Sequence, residues 1–359
     1  MKKIACVLAA LSLGACASDA TFTRHMTAEQ IMQMGATPVA VTDNNFGLSP
    51  TWPSSNNSMS GAAGQMSQGL SGLGAGLLVG GVIAMMEADT HRRAVQNADE
   101  LETIFTAETL NRAMEQTFRD LSGRPMDGSI TVSDVSRVQK VTHPEGLNDT
   151  IEIITIYNMS DYSNGIRIMS EVTYRDAAGV QVYKNLFTYY SAELQAPELT
   201  PEVRASLVAA ITRRASRATG AIPTSGTTAG VDYIRDIRDA RDDFLTRAEK
   251  SILVSEQWLQ NDGAMLRAEI ANAHGLIARY AMVDINRAVD PTGAQPPLGG
   301  IETLPDGRIV EQVGDGFMAG TYVFRPAGAT LKASFSGPIA LSRNQTSRNY
   351  WLLESLKSR

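Results

Sequence analysis

From Asn44 to Met86 the chain carries no charged residue. A stretch of that length without a single Asp, Glu, Lys or Arg is unlike a solvated linker, and its second half is strongly apolar. Gly69 to Met86 reads GLSGLGAGLLVGGVIAMM and stops at Glu87, Asp89, Arg92 and Arg93. Eighteen uncharged residues approach the roughly 20 that a helix needs to cross a bilayer. Seven strong insertion drivers, Leu70, Leu73, Leu77, Leu78, Val79, Val82 and Ile83, sum to roughly −2 to −4 kcal/mol. Six glycines oppose them, because each loses more backbone freedom on ordering than alanine does. Alone, such a helix is marginal. Gly72, Gly76, Gly80 and Ala84 recur every fourth residue and form one flat stripe, the surface through which membrane helices approach closely. The expectation is a helix over 69–88 that inserts or oligomerises when packed on a partner, with a buried soluble helix as the alternative.

The amino terminus supplies an address. Lys2 and Lys3 precede an apolar run from Ile4 to Leu13, too short to span and so read as a secretory signal over 1–15. Its ending, Leu13-Gly14-Ala15-Cys16, resembles the lipobox of bacterial lipoproteins: a large aliphatic, two small residues and the modified cysteine. The resemblance covers these first residues alone. It implies cleavage before Cys16, acylation of that cysteine with membrane lipid such as palmitate, and stable anchoring by more than one chain. Ala17, rather than Asp, follows the cysteine, which by the same resemblance implies the outer membrane of the cell envelope. The only other cysteine, Cys6, leaves with the signal, so the mature chain of about 344 residues has no disulfide and no free thiol. A charge of −6 gives nucleic acid no basic surface to bind.

Downstream, the expected fold class is α+β. Residues 16–68 read as a flexible tether rich in Ser, Asn, Gly and Thr, interrupted by a short helix near Thr27 to Met34 with Thr27 as its cap. An antiparallel sheet domain over 96–196 opens with an amphipathic helix, Asn97 to Leu121, ended by Ser122-Gly123-Arg124-Pro125. Its strands are Ser129 to Val141, with a bulge in the broken alternation, then Ile151 to Tyr157, then a pair around the turn Asp176-Ala177-Ala178-Gly179. In the strand Ile166 to Arg175, alternation places Ile166, Ile168, Val172 and Tyr174 inward, and Arg167, Glu171, Thr173 and Arg175 outward. The region 197–290 is helical. A helix starts at Thr200-Pro201-Glu202; a longer one from Val231 breaks at Asn261-Asp262-Gly263, and a second runs to about Val289, the pair forming a hairpin arm. On this arm Ile237, Phe244 and Ile252 should be buried, and Arg238 and Asp242 exposed. A small β-rich module over 296–359 completes the chain, with strands near Arg308–Val313, Thr321–Phe324 and Thr330–Phe335.

Catalytic motifs are missing from the sequence. The four histidines, His25, His91, His143 and His274, lack metal-site spacing. There is no nucleophile elbow and no Gly-Lys pair for a phosphate loop. Asp284-Ile285-Asn286 opens like a calcium loop, but Ala288 and Val289 occupy positions where a ligand and a glycine are needed. Asp236, Asp239, Asp242 and Asp243 each sit beside an arginine, the pattern of a salt-bridged solvent face. The expected function is therefore a non-enzymatic lipid-anchored scaffold or assembly lipoprotein, without metal or cofactor. Its partners are membrane lipid through Cys16 and a protein, or further copies of itself. The alternatives are a subunit of an envelope secretion or efflux channel, and an envelope hydrolase with a dispersed active site.

Overall fold

The computed structural model describes residues 23–43, 48–50, 100–122, 128–139, 146–159, 163–289, 301–313 and 319–327. Within them lie α1 (Ala28–Met34), β1 (Ala36–Asp43), β2 (Leu48–Pro50), α2 (Ala107–Leu121), β3 (Thr131–Gln139), β4 (Thr150–Met159), β5 (Ile166–Arg175) and β6 (Gln181–Tyr190). They are followed by α3 (Pro201–Thr219), α4 (Thr228–Asp239), α5 (Arg247–Ile285), β7 (Ile301–Thr303), β8 (Ile309–Gln312) and β9 (Tyr322–Arg325). The fold is α+β, as the alternating and helical periodicities indicated.

One sheet gathers all the strands in the order β3-β1-β4-β5-β6-β9-β8-β7, with β2 also pairing with β4. The tight hairpin is where the sequence placed it. Gly179 takes φ +79°, and the Asp176 carboxylate accepts the amide hydrogens of Ala178 and Val180 at 3.0 and 2.9 Å. The expected bulge is real as well: the β1–β3 register slips between Thr37 and Val39, where Pro38 has no amide hydrogen to offer.

Three expectations are corrected. The sheet is mixed rather than antiparallel, because β1 runs parallel to both β3 and β4, and β9 runs parallel to β6. Residues 23–43 are part of the fold rather than tether. Thr27 and Gln30 form a reciprocal capping box on α1, and β1 is an interior strand whose Val39, Ala40 and Val41 are almost fully buried. Nor do the described residues of 296–359 form a separate module, since β7–β9 extend the same sheet from β6.

The core lies between one sheet face and helices α2 and α5. Val39, Val41, Ile151, Ile153, Tyr157, Ile168, Val172 and Phe187 from the sheet meet Met114 and Phe118 of α2 and Leu266, Ile270, Ala273 and Ile277 of α5. The opposite face sets charged side chains among the buried Ile154, Ile156, Met169 and Leu186 and is not solvated, another departure from the alternating reading. Arg167 and Glu171 are 7% and 1% exposed, and Lys184 Nζ lies 3.4 Å from the Glu171 carboxylate.

The helical region bends at two places. At Gln260–Gly263, three successive residues are left-handed, and a Cβ on Gly263 would strike the Phe105 ring at 2.9 Å. This is the Asn261-Asp262-Gly263 break. The second half of α5 then lies on the sheet, where Leu266, Ile270, Ala273 and Ile277 are buried, and is not a free arm. The helix expected from Val231 is itself interrupted between Asp239 and Arg247. That break turns Phe244 outward to 65% exposure, against the expected burial, while Ile237 is half-buried and Ile252 buried. Arg238 and Asp242 are exposed as anticipated. Phe244→Ala should therefore change the unfolding free energy by no more than about 0.5 kcal/mol. Ile252→Val should cost about 0.5–1.5 kcal/mol. Urea titration of both variants checks the ranking.

Candidate functional site

The last turn of α5 carries Asp284 toward β6 and β9, and no part of its side chain is exposed. One carboxylate oxygen accepts from the Tyr183 hydroxyl and from the Asn185 amide, both at 2.7 Å. The other accepts from the Tyr322 hydroxyl at 2.9 Å. His25 completes the cluster, its Nδ1 3.7 Å from the carboxylate and its ring edge-on to Tyr183. Burial and the neighbouring carboxyl push both tyrosine hydroxyls above their ordinary range, so both stay protonated and donate. The cluster unites the N-terminal segment, β6, the end of α5 and β9, and neither the His25 nor the Asp284 side chain is exposed. Its chemistry is fastening.

The second buried histidine lies across the core. His274 Nε2 is 2.8 Å from the Tyr157 hydroxyl, and complete burial pulls the imidazole down to about 3. His91 and His143 fall outside the described residues. Among the described residues no hydrogen bond joins a histidine to a serine, and no group of three or more metal-type ligands forms. Asp284, the opening residue of the calcium-like run, faces tyrosines instead.

A charged lock ties α3 to α5. Glu100 accepts from Arg213 at 3.1 Å and Arg214 at 2.9 Å, and Glu256 accepts from the same two arginines at 2.5 and 3.2 Å. This lock borders an open cleft of about 530 Å³ that Arg217 and Leu259 also line. The acidic run on α4 is, as expected, a surface of local pairs. Arg235 meets Asp232 at 3.0 Å, Arg238 meets Asp239 at 3.2 Å, and Asp243 faces Arg204 at 3.6 Å.

The feature that stands out is apolar. α4 turns Tyr233, Ile237 and Ala240 toward Leu207 and Ile211 of α3 and Ile252 and Leu253 of α5. That leaves Val231 and Ile234 on the solvent side at 58% and 50% exposure, with Ile222 at 57% before the helix and Phe244 at 65% after it. Four large apolar side chains are thus exposed within 23 residues of chain, a denser run than elsewhere among the described residues. Sequence periodicity could not isolate this patch, because it assigned Phe244 to the buried side. The Asp284 cluster left no local signal either, since positions 25, 183, 284 and 322 are remote in sequence.

Cys16, Gly72, Gly76, Gly80 and Ala84 lie outside the described residues. Among the described residues no helix is long and apolar enough to cross a membrane. Comparison with protein families, curated proteins and solved structures returned no match.

Proposed function

We propose that this chain is a lipid-anchored envelope lipoprotein that holds a protein partner and performs no catalysis of its own. The observation that carries this reading is the run of exposed apolar side chains Ile222, Val231, Ile234 and Phe244 on and around α4. Exposed aromatic and aliphatic groups beside arginine are the composition of protein interfaces. The N-terminal Leu13-Gly14-Ala15-Cys16 supplies the anchor, acylated at Cys16 and directed to the outer membrane. The stripe Gly72, Gly76, Gly80 and Ala84 supplies a second association surface, for other copies of the chain or for a membrane helix.

Two measurements in the source bacterium test the reading. A fatty-acid analogue should label the wild type and leave Cys16→Ala unlabelled; persistent label on the variant would remove the anchor. A photo-crosslinking residue at position 234 should give a discrete protein adduct, and one at the exposed Lys250 position should not. Equal adducts at both positions, or none at 234, would remove the docking role.

A further inference from the structure

The sheet is buried on both faces, but the described helices account for only one of them. α1, α2 and α5 all pack on the face that carries Ile151, Ile153, Tyr157 and Ile168. α3 and α4 pack on α5 rather than on the sheet. On the other face Ile154, Ile156, Met169, Leu186 and Tyr190 are only 1% to 5% exposed, and the strand register sets them across β4, β5 and β6. The burial continues to Thr42 of β1 and Val323 of β9, each 3% exposed. It stops at β3, where Ser136, the partner of the buried Ala40, is exposed. These side chains are buried within a single chain, so the cover belongs to that chain and lies outside its described residues.

Length, charge and position select the segment. From β1 to β9 the covered face is about 19 Å wide. The longest of the short gaps, 290–300, has 11 residues. The seven residues 16–22 that follow the expected signal are also too few. They lead straight into Thr23, whose hydroxyl donates to the Ala319 carbonyl at 2.7 Å, and Arg24, which exchanges two backbone hydrogen bonds with Lys184 at 2.8 and 2.9 Å. Only 51–99 and 328–359 are long enough. The charges of the face are already matched. Lys184 Nζ lies 3.4 Å from the Glu171 carboxylate, Arg167 donates to Asn158 at 3.2 Å, and Glu152 accepts from Thr42 at 2.9 Å. A cover that brought further charge would bury it without a partner. Residues 328–359 carry Lys332, Arg343, Arg348, Lys357 and Arg359 against Glu354, whereas 69–86 carries no charge, and nine of its eighteen residues are Leu, Val, Ile or Met. A helix of that length measures about 27 Å, enough to cross the face. Pro50 pairs with Met159 at the end of β4, and residues 51–68 reach up to about 60 Å when extended, so the segment sets out from beside the face it covers.

We infer that residues 69–86 dock as a helix on this second face of the sheet and give the molecule a third layer. On a helix Leu78, Val82 and Met85 fall opposite the stripe Gly72, Gly76, Gly80 and Ala84. The large side chains meet Ile154, Ile156, Met169 and Leu186, and the stripe is left outward for association between copies of the chain. The apolar run thus has a place to be buried without crossing a bilayer, where its six glycines make it marginal. The inference does not depend on acylation of Cys16.

Two measurements on the full-length protein test this. In the first, Leu78→Cys is combined in turn with Ile154→Cys, Met169→Cys or Leu186→Cys and oxidised with copper phenanthroline in air. At least one pair should close to a disulfide within a single chain, identified by mass spectrometry of its peptides, and Leu78→Cys with Ser136→Cys should not. In the second, hydrogen peroxide should oxidise Met169 several-fold faster in Leu78→Asp than in the wild type, while Met114, under α2 on the other face, stays equally slow in both. That measurement alters no residue of the sheet, so it stands if a cysteine variant fails to fold. A rise at both methionines marks unfolding of Leu78→Asp, and the cysteine pairs then decide alone. Disulfides that form only between chains would seat a second copy on the face. No disulfide within a chain, or an unchanged Met169 rate, would leave the segment to a bilayer or to another protein. Each of these three results overturns the inference.

Discussion

Replacing Asp284 by alanine should lower the unfolding free energy by about 3–5 kcal/mol, measured by urea titration at neutral pH. The carboxyl accepts three hydrogen bonds and its side chain has no exposed surface. Each buried donor left without a partner costs about 1–3 kcal/mol. Asn185 and Tyr322 keep second contacts, Asn185 with the Gly320 carbonyl and Tyr322 with Arg287, which holds the total below the simple sum. Removing the donors with the acceptor should recover part of the loss. Asp284→Leu combined with Tyr183→Phe and Tyr322→Phe should thus be more stable than Asp284→Leu alone. If the triple variant is the less stable of the two, the carboxyl is not what the hydroxyls are held by.

Acid should destabilise the fold through His274. Its folded value lies near 3, well below the ordinary imidazole value of about 6.5 that the unfolded chain retains. Between those limits the unfolded state binds the extra proton. Stability is therefore full above about pH 6.5 and falls as pH drops toward 3, by up to about 1.4 kcal/mol per unit. Nothing more is lost through this residue below that range. His274→Gln keeps a polar side chain near Tyr157 and removes the titration. Stability curves of wild type and variant, measured from pH 7 to pH 4, should converge or cross as pH falls. Parallel curves would show that the imidazole titrates alike in both states.

The sequence made local features legible wherever a residue's role depends on near neighbours. The Thr27 cap, the Asp176–Gly179 turn and the break at Asn261-Asp262-Gly263 each follow from side-chain bonding or backbone freedom within a few residues. Features decided by remote pairing were not legible. β1 reads as an apolar island in a polar segment, and only its parallel partners β3 and β4 reveal it as an interior strand. Arg167 and Glu171 alternate as outward residues do, yet both are buried. Phe244 fitted a continuous helical stripe, but the chain leaves the helix at Ala240 and the phase of the stripe is lost. Of the candidate sites, the anchor motif was plain because it is a contiguous string. The exposed patch needed the tertiary layer, since only the seat of α4 on Leu207 and Ile211 decides which of its faces is left over.

The stitching of Thr23 and Arg24 into the sheet also has a mechanical meaning. A pull applied at the amino terminus reaches the Thr23–Ala319 bond and the Arg24–Lys184 pair before any helix. From Lys184 the load passes through β6 into β5, whose ten-residue antiparallel ladders share it among many parallel bonds. The helical layer with Ile234 and Phe244 hangs off the first half of α5, outside that line of force. The sheet ladders of β5 and β6 therefore carry such a load ahead of the α3–α4 layer.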